Sequence, residues 1–295
     1  MLFGRDFSVS DDTLLYHYCS PETLVSIIQN RTIRFSDMNM MNDAEEGRWG
    51  YKIWIEAANK LLDPKNPPPG LPEPITEDFI DHIDQIWSSM GLGLSSFIAS
   101  FSKDGDSLSQ WRAYADDGRG YAIGFRSTAL RRLPIQLLDV CYDHEQQVQE
   151  MAVAVGATFL EWLDKNKDYD EPWFRERCQV IAMSSAAFKN PAWRDEQEVR
   201  CQHAVTVGLG ENGFTLTDDG GVSEGEDVDG VPVQFQVRNG SIVPFLDLPF
   251  DQSRGAVAEI VMGPRCQNAP GNVLFLLGNN GYGVLPIRAA GAAYR

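Results

Sequence analysis

Polar and apolar positions along the chain fall into two kinds of block, short dense runs that read as strands and 3.6-residue stripes that read as helices. Thr13 to Cys19 is rich in aromatic and apolar residues and predicts a buried strand. Ser20 and Pro21 follow as an N-cap and a first helical residue, and Leu24, Ile27 and Ile28 make the stripe of a short helix ending near Asn30. Thr32 to Ser36 predicts a second strand. Further helices are expected from about Ala44 to Leu62, through Phe79, Ile80, Ile83, Ile86 and Trp87, over Ser107 to Ala115, Glu145 to Asp164 and Glu171 to Phe188, and around Asn272 to Leu277. Strands are expected over Leu94 to Ser102, Gly120 to Phe125, Pro134 to Tyr142, Val199 to Thr206, Val231 to Val237, Ser241 to Phe245, Ala256 to Met262 and Gly283 to Ile287. In the Gly120 to Phe125 run the glycines permit close backbone approach. Helices and strands are segregated rather than alternating, which favours an α+β fold with a mostly antiparallel sheet.

Two stretches interrupt this pattern. Asp63 to Pro74 carries six prolines in twelve residues and predicts an extended surface connection. Glu211 to Asp229 carries seven acids and no basic residue among Gly and Ser, which predicts a mobile acidic loop over about 207–230. Both read as insertions on a single domain spanning residues 1–295. No internal repeat is found, and no phosphate loop or Gly-x-Gly-x-x-Gly sits between a strand and a helix.

With 295 residues, 43% of them hydrophobic, the chain can bury a sizeable core. A net charge of −17 argues against nucleic acid or an anionic membrane surface as a general partner, because both need clustered Lys and Arg. A local basic pocket for an anionic small molecule stays open. No apolar run has membrane-spanning length, and Met1 to Asp6 lacks the basic start and apolar core of a signal peptide, so the cytoplasm is the expected compartment. Cys19, Cys141, Cys178, Cys201 and Cys266 stand far apart without metal-ligand spacing and read as reduced, mostly buried residues.

The chemistry concentrates in Phe188-Lys-Asn-Pro-Ala-Trp-Arg-Asp-Glu-Gln-Glu-Val-Arg200. The run leads straight into an apparent strand, in which this spacing points Glu196 and Glu198 to one face, where one acid keeps its proton or both find a cation, an arginine or a ligand hydroxyl. The alternative is an edge strand with its acids balanced by Arg194 and Arg200. His17 sits between Tyr16 and Tyr18, so alternation sends it to the opposite face from both tyrosines; it is either a satisfied core histidine or a group that binds a ribose hydroxyl or takes a proton. Gln110, Trp111, Arg112, Tyr114 and Arg119 form a third cluster. It is either packing core or a flat wall of Trp111 and Tyr114 for an aromatic ring, with Arg112 or Arg119 meeting a phosphate. Asn42, Asp43, Glu45 and Glu46 read as a helix cap or the lip of a pocket.

The order of these motifs, strand histidine, Ser-Pro helix, Asn-Asp-x-x-Glu, Gln-Trp-x-x-Tyr, Gly-x-x-Ile-Gly-Phe and Trp-x-x-Glu-x-Glu-x-Arg, resembles the bacterial proteins grouped as DUF2971, a domain of unknown function, over about Leu14 to Gly263. A looser resemblance is to ADP-ribosyltransferases of the His-Tyr-Glu kind. It rests on Tyr16 to Ser20 before a helix, with Cys19 where Thr or Ser is usual, and on Glu196-x-Glu198. That resemblance implies a strongly bent or split sheet with helices packed around it and NAD as cofactor. It also implies His17 on the ribose, Glu198 as the catalytic acid and Glu196 orienting the acceptor. The middle element would be Ser100 or Ser102, or Tyr114 stacking on nicotinamide.

Two functions follow as expectations. One is an NAD-dependent ADP-ribosyltransferase or NAD hydrolase that breaks the nicotinamide–ribose bond, with a small-molecule nucleotide ligand and a protein acceptor. The other is a non-catalytic ligand-sensing or interaction module in a stress or phage-response system, in which Glu196 and Glu198 pair with Arg194, Arg200 or Arg34. Metal-dependent hydrolysis through Asp43, Glu46, Glu196 and Glu198 is disfavoured by the lack of a histidine pair or Asp-x-Asp.

Overall fold

The computed structural model describes residues 5–10, 13–40, 46–65, 67–211, 213–238, 240–250 and 255–291. Asn42, Asp43 and Glu45 lie outside the described residues, and Glu46 enters only as the first residue of a helix. In chain order the strands are β1 Leu14–Cys19, β2 Thr32–Asp37, β3 Leu94–Ser102, β4 Tyr121–Arg126, β5 Gln136–Asp139, β6 Glu198–Gly210, β7 Gly213–Thr217, β8 Gly221–Ser223, β9 Glu226–Val228, β10 Gln234–Arg238, β11 Ser241–Pro249, β12 Val257–Met262 and β13 Ile287–Ala289. The helices are α1 Pro21–Asn30, α2 Glu46–Leu61, α3 Glu77–Ser89, α4 Leu108–Tyr114, α5 Ser127–Leu130, α6 His144–Asp164, α7 Pro172–Ser184 and α8 Pro270–Asn279. The fold is α+β, and its sheet is antiparallel except where β12 meets β13.

The local rules act where expected at α1. The Ser20 side chain accepts from the Thr23 N–H, Pro21 opens the helix, and Arg31 closes it in the left-handed region at φ 56°. Leu24, Ile27 and Ile28 then bury against the sheet with Leu15, Ile33, Phe97, Ile123 and Val199. A second core lies outside the sheet, where α2, α3, α6 and α7 pack Trp54, Phe79, Phe159 and Phe174 together. A Cβ at Gly120 would collide with the Cys19 carbonyl oxygen, the close approach that β4 needs beside β1.

Pairing around β3 decides the shape of the sheet. β6 covers one whole edge of β3, from Leu94 opposite Thr206 to Ser102 opposite Glu198. The other edge is shared, since β2 pairs Ser36 and Asp37 with Ile98 and Phe97, while β1 pairs Tyr16 with Ser102. Extending the two registers brings both Tyr18 and Arg34 to Ser100, and neither pairs with it. The sheet therefore forks at Ser100, with β1-β4-β12-β13 as one arm and β2-β11-β10 as the other. α1 connects the two arms and lines the opening between them.

Several expectations need correction. Glu196 is not on a strand: it ends a 3-10 turn, Pro191–Glu196, and Gln197 follows in the left-handed region at φ 46°, so β6 begins only at Glu198. Nor is that strand an edge, since β6 is paired with β3, β5 and β7. The segment expected as a mobile acidic loop is two hairpins, β6 with β7 and β8 with β9. Gly213, Gly220 and Gly225 take positive φ at their turns, and Asp218 pairs with buried His203 at 2.7 Å. The last long helix stops at Ser184 rather than Phe188, and continues as a 3-10 turn over Ser185–Ala187. The proline-rich stretch lies between α2 and α3 without regular structure among its described residues.

Candidate functional site

The fork opens as a cleft of about 950 Å³. Its walls are His17, Tyr18 and Cys19 of β1, residues of α1, and Thr32, Arg34 and Ser36 of β2. Its floor is Ile98 to Phe101 of β3 with Lys189, Glu196 and Glu198, and Tyr114 and Trp193 stand over that floor. The sequence-predicted His17, Ser100, Tyr114, Glu196 and Glu198 thus meet in one cavity, whereas Ser102, Trp111 and Arg112 are not among its lining residues.

His17 fills the gap that the fork leaves in the sheet. Ser100 has no ladder partner on that edge, and His17 Nδ1 lies 3.0 Å from the Ser100 carbonyl oxygen. A carbonyl only accepts, so Nδ1 carries the proton and Nε2 is the acceptor nitrogen of a neutral ring. Burial lowers the imidazolium pKa, which keeps the ring neutral at pH 7. As alternation requires, Tyr16 and Tyr18 turn to the opposite face from His17, where Tyr16 donates to Glu259 and Tyr18 packs edge-on against Trp111 at 4.7 Å. That is the face Tyr16 shares with Ser102 and Glu198, so His17 and Glu198 reach the cleft from opposite faces of the sheet, through the gap at Ser100. Cys19 also lines the cleft, and burial in the core raises the pKa of its thiol, which stays protonated.

Lys189, Glu196, Glu198 and Arg200 form a buried ion network under the cleft. Lys189 Nζ donates to Glu196 Oε2 at 2.5 Å and to Glu198 Oε2 at 3.0 Å. Arg200 holds Glu198 with both faces of its fork, Nε to Oε1 at 2.9 Å and Nη2 to Oε2 at 3.2 Å, and donates from Nη1 to the Ala186 carbonyl at 2.7 Å. The two-residue strand spacing acts between Glu198 and Arg200, because both are on β6; the left-handed Gln197 brings Glu196 to the same point by turning the backbone. Burial alone would raise the Glu198 pKa, but Arg200 and Lys189, with a hydrogen bond from Ser100, outweigh it and hold the carboxyl at about 2. Glu198 is an anion at every physiological pH.

Lys189 is the residue that sequence reasoning missed. A lysine normally reads as surface, yet this one is 5% exposed. The chain around it is pinned from the helical layer: buried Gln147 of α6 donates to the carbonyls of Cys141 and Lys189, and Cys141 accepts from the Lys189 N–H at 3.1 Å. The available signal was its place one residue after the apolar run Ala186 to Phe188. Arg194 and Arg34, the other expected partners, do not take that role; Arg34 is bidentate to Asp247 at 2.9 Å instead.

The aromatic wall differs from expectation as well. Trp111 is fully buried, donates to Asp106 at 2.9 Å and belongs to the core under α4, so no ligand ring can stack on it. Tyr114, 40% exposed, donates its hydroxyl to Glu196 Oε1 at 2.9 Å, and Trp193 is the exposed indole that faces the cleft. Ser102 is buried and donates to the Glu196 carbonyl at 2.7 Å, so it holds the turn before β6 rather than a ligand. Arg112 is exposed away from the cleft, and Arg119 pairs with Asp116. The five cysteines are all free. Among the described residues no cluster of metal-ligand side chains is found, and no helix is long and apolar enough to cross a membrane.

No curated protein and no solved structure matches the chain. Residues 110–201 match the family model described as "Protein of unknown function (DUF2971)". The matched segment contains Tyr114, Lys189, Glu196, Glu198 and Arg200, the aromatic wall and the whole ion network, and leaves out His17 and Ser100. The match therefore takes in the ion network at the floor of the cleft but not the β3 residues Ile98 to Phe101 that complete that floor.

Proposed function

We propose that the fork binds an NAD-type dinucleotide and that the chain is an ADP-ribosyltransferase-like enzyme breaking the nicotinamide–ribose bond. The observation that carries this reading is the meeting of His17, Ser100 and Glu198, on three adjacent strands, in one cleft at the upper end of the about 300–1,000 Å³ usual for ligand sites. A neutral His17 offers Nε2 as acceptor for a ribose hydroxyl. Tyr114 and Trp193 offer exposed ring faces for nicotinamide. When the C1′–N bond breaks, both electrons leave with nicotinamide, and the ribose carries the positive charge until water or an acceptor hydroxyl adds at C1′ and gives up its proton. Glu198, ionised and desolvated, is the anion that stabilises that charge. For this it must exchange its Lys189 or Ser100 contact for a ribose hydroxyl, leaving Arg200 to hold it. Glu196, bonded to Tyr114 and Lys189, is the carboxylate available to orient the acceptor.

A non-catalytic ligand-binding module has one observation of its own: Arg200, Lys189 and Ser100 already occupy the carboxylate of Glu198. Calorimetric titration with NAD followed by a nicotinamide-release assay separates the two. The enzyme reading expects NAD binding and turnover that falls at least about 100-fold in Glu198→Gln. Binding without turnover supports the module, and turnover unaffected by Glu198→Gln sinks the catalytic assignment.

A further inference from the structure

The register of the second arm distributes charge unevenly across the cleft. Asp247 is opposite Arg34 and Phe245 opposite Ser36, while Val243 and Ser241 are opposite Gln236 and Arg238. Residues opposite one another share a face, so Arg34, Asp247, Gln236 and Arg238 form one polar row along the cleft wall. Within it Arg34 is committed: its guanidinium is bidentate to Asp247, donates to Gln236 at 2.9 Å and lies 3.7 Å over the Phe245 ring. Arg238, exposed at the end of β10, forms no ion pair or side-chain hydrogen bond among the described residues.

The row therefore carries one positive charge in excess, from Arg238. The floor does not, since Lys189 and Arg200 balance Glu196 and Glu198. Glu22 of α1 adds a negative charge on the remaining wall. The balanced floor, with its carboxylate acceptors, suits hydroxyl groups, and the row with its excess positive charge suits phosphate.

We infer that Arg238 is a phosphate-binding residue, holding the diphosphate of the ligand against the β2-β11-β10 face while its ribose turns toward His17 and Glu198. This assignment rests on the nucleotide reading of the cleft but not on catalysis, and inorganic pyrophosphate, ADP and adenosine test it by calorimetry. The wild-type chain is expected to bind pyrophosphate and ADP. Arg238→Gln weakens both about tenfold, Arg238→Lys restores part of the loss, and adenosine binds the wild type and Arg238→Gln alike. The dependence of ADP affinity on salt should also flatten in Arg238→Gln. Because Arg238 is exposed, the variant folds as the wild type does. Equal pyrophosphate affinity in wild type and Arg238→Gln, or no pyrophosphate and ADP binding by the wild type, overturns the assignment. Arg238-dependent ADP binding in a chain that releases no nicotinamide overturns only the catalytic reading.

Discussion

β6 carries two buried carboxylate contacts five residues apart, and they serve different ends. At its start Glu198 is held by Arg200 and Lys189; further on His203 meets Asp218 at 2.7 Å. The side chains of both pairs are almost fully buried, and in both a carboxylate is stabilised as an anion. Both nitrogens of the His203 ring are engaged: Nδ1 faces the Pro134 carbonyl and Nε2 faces Asp218, which in turn accepts from the N–H groups of Gly220 and Val231. That arrangement fixes the segment after β7 onto the sheet. A cavity of about 460 Å³ adjoins His203, but Asp218 already has protein partners on both oxygens. Across β3 from Glu198 the strands β1 and β2 separate at Ser100, so this carboxylate borders a cleft and a histidine with a spare acceptor nitrogen. Buried charge does not by itself mark a site. The missing ladder beside it does.

The largest expected effect strikes both regions equally. Arg200→Met leaves Glu198 buried without its bidentate partner, and His203→Leu leaves Asp218 so; each should cost about 3–5 kcal/mol in denaturant unfolding. The comparison sharpens in a second readout, where conservative His203→Gln retains NAD affinity and Lys189→Met loses it, measured by calorimetry on the folded fraction. Equal loss of affinity in both would mean that the Glu198 network only supports the fold.

Acid should next weaken the Glu198 network. Glu198 has its pKa lowered from 4.5 to about 2, so its contribution to stability is complete above the unfolded value and is lost as pH falls from about 5 toward 2. Glu198→Gln should flatten the fall in unfolding free energy across that window, and a slope unchanged from wild type would contradict the ionised pair. Tyr114→Phe removes one hydrogen bond to Glu196 and should cost about 1–2 kcal/mol, with weaker NAD binding than its small structural change suggests. The smallest effect belongs to Arg112→Ala, where the exposed side chain faces away from the cleft. Stability should change by less than about 0.5 kcal/mol and NAD affinity not at all.

What could be read from the sequence followed the range of the interaction. The Ser20 cap, the Pro21 start and the stripe of α1 are local, and they appear at the expected residues. So does α6, whose Asp143 side chain caps the Gln146 N–H. Glu196 was misassigned because a left-handed Gln197 leaves no mark in polarity, and a two-residue spacing reads the same whether or not a turn intervenes. Trp111 and Tyr114 differ in fate although they share one helix, because β1 and β12 cover one and leave the other open. Lys189 needed the contact from Gln147, 42 residues away. The fork itself depends on which strands compete for Ser100, a long-range outcome with no local signature.

The fork beside Ser100 is the proposed NAD site. A crystal structure determined at saturating NAD should show the nicotinamide ribose between His17 and Glu198, with a ring against Tyr114 or Trp193. An empty fork, or NAD held elsewhere on the molecule, would contradict it.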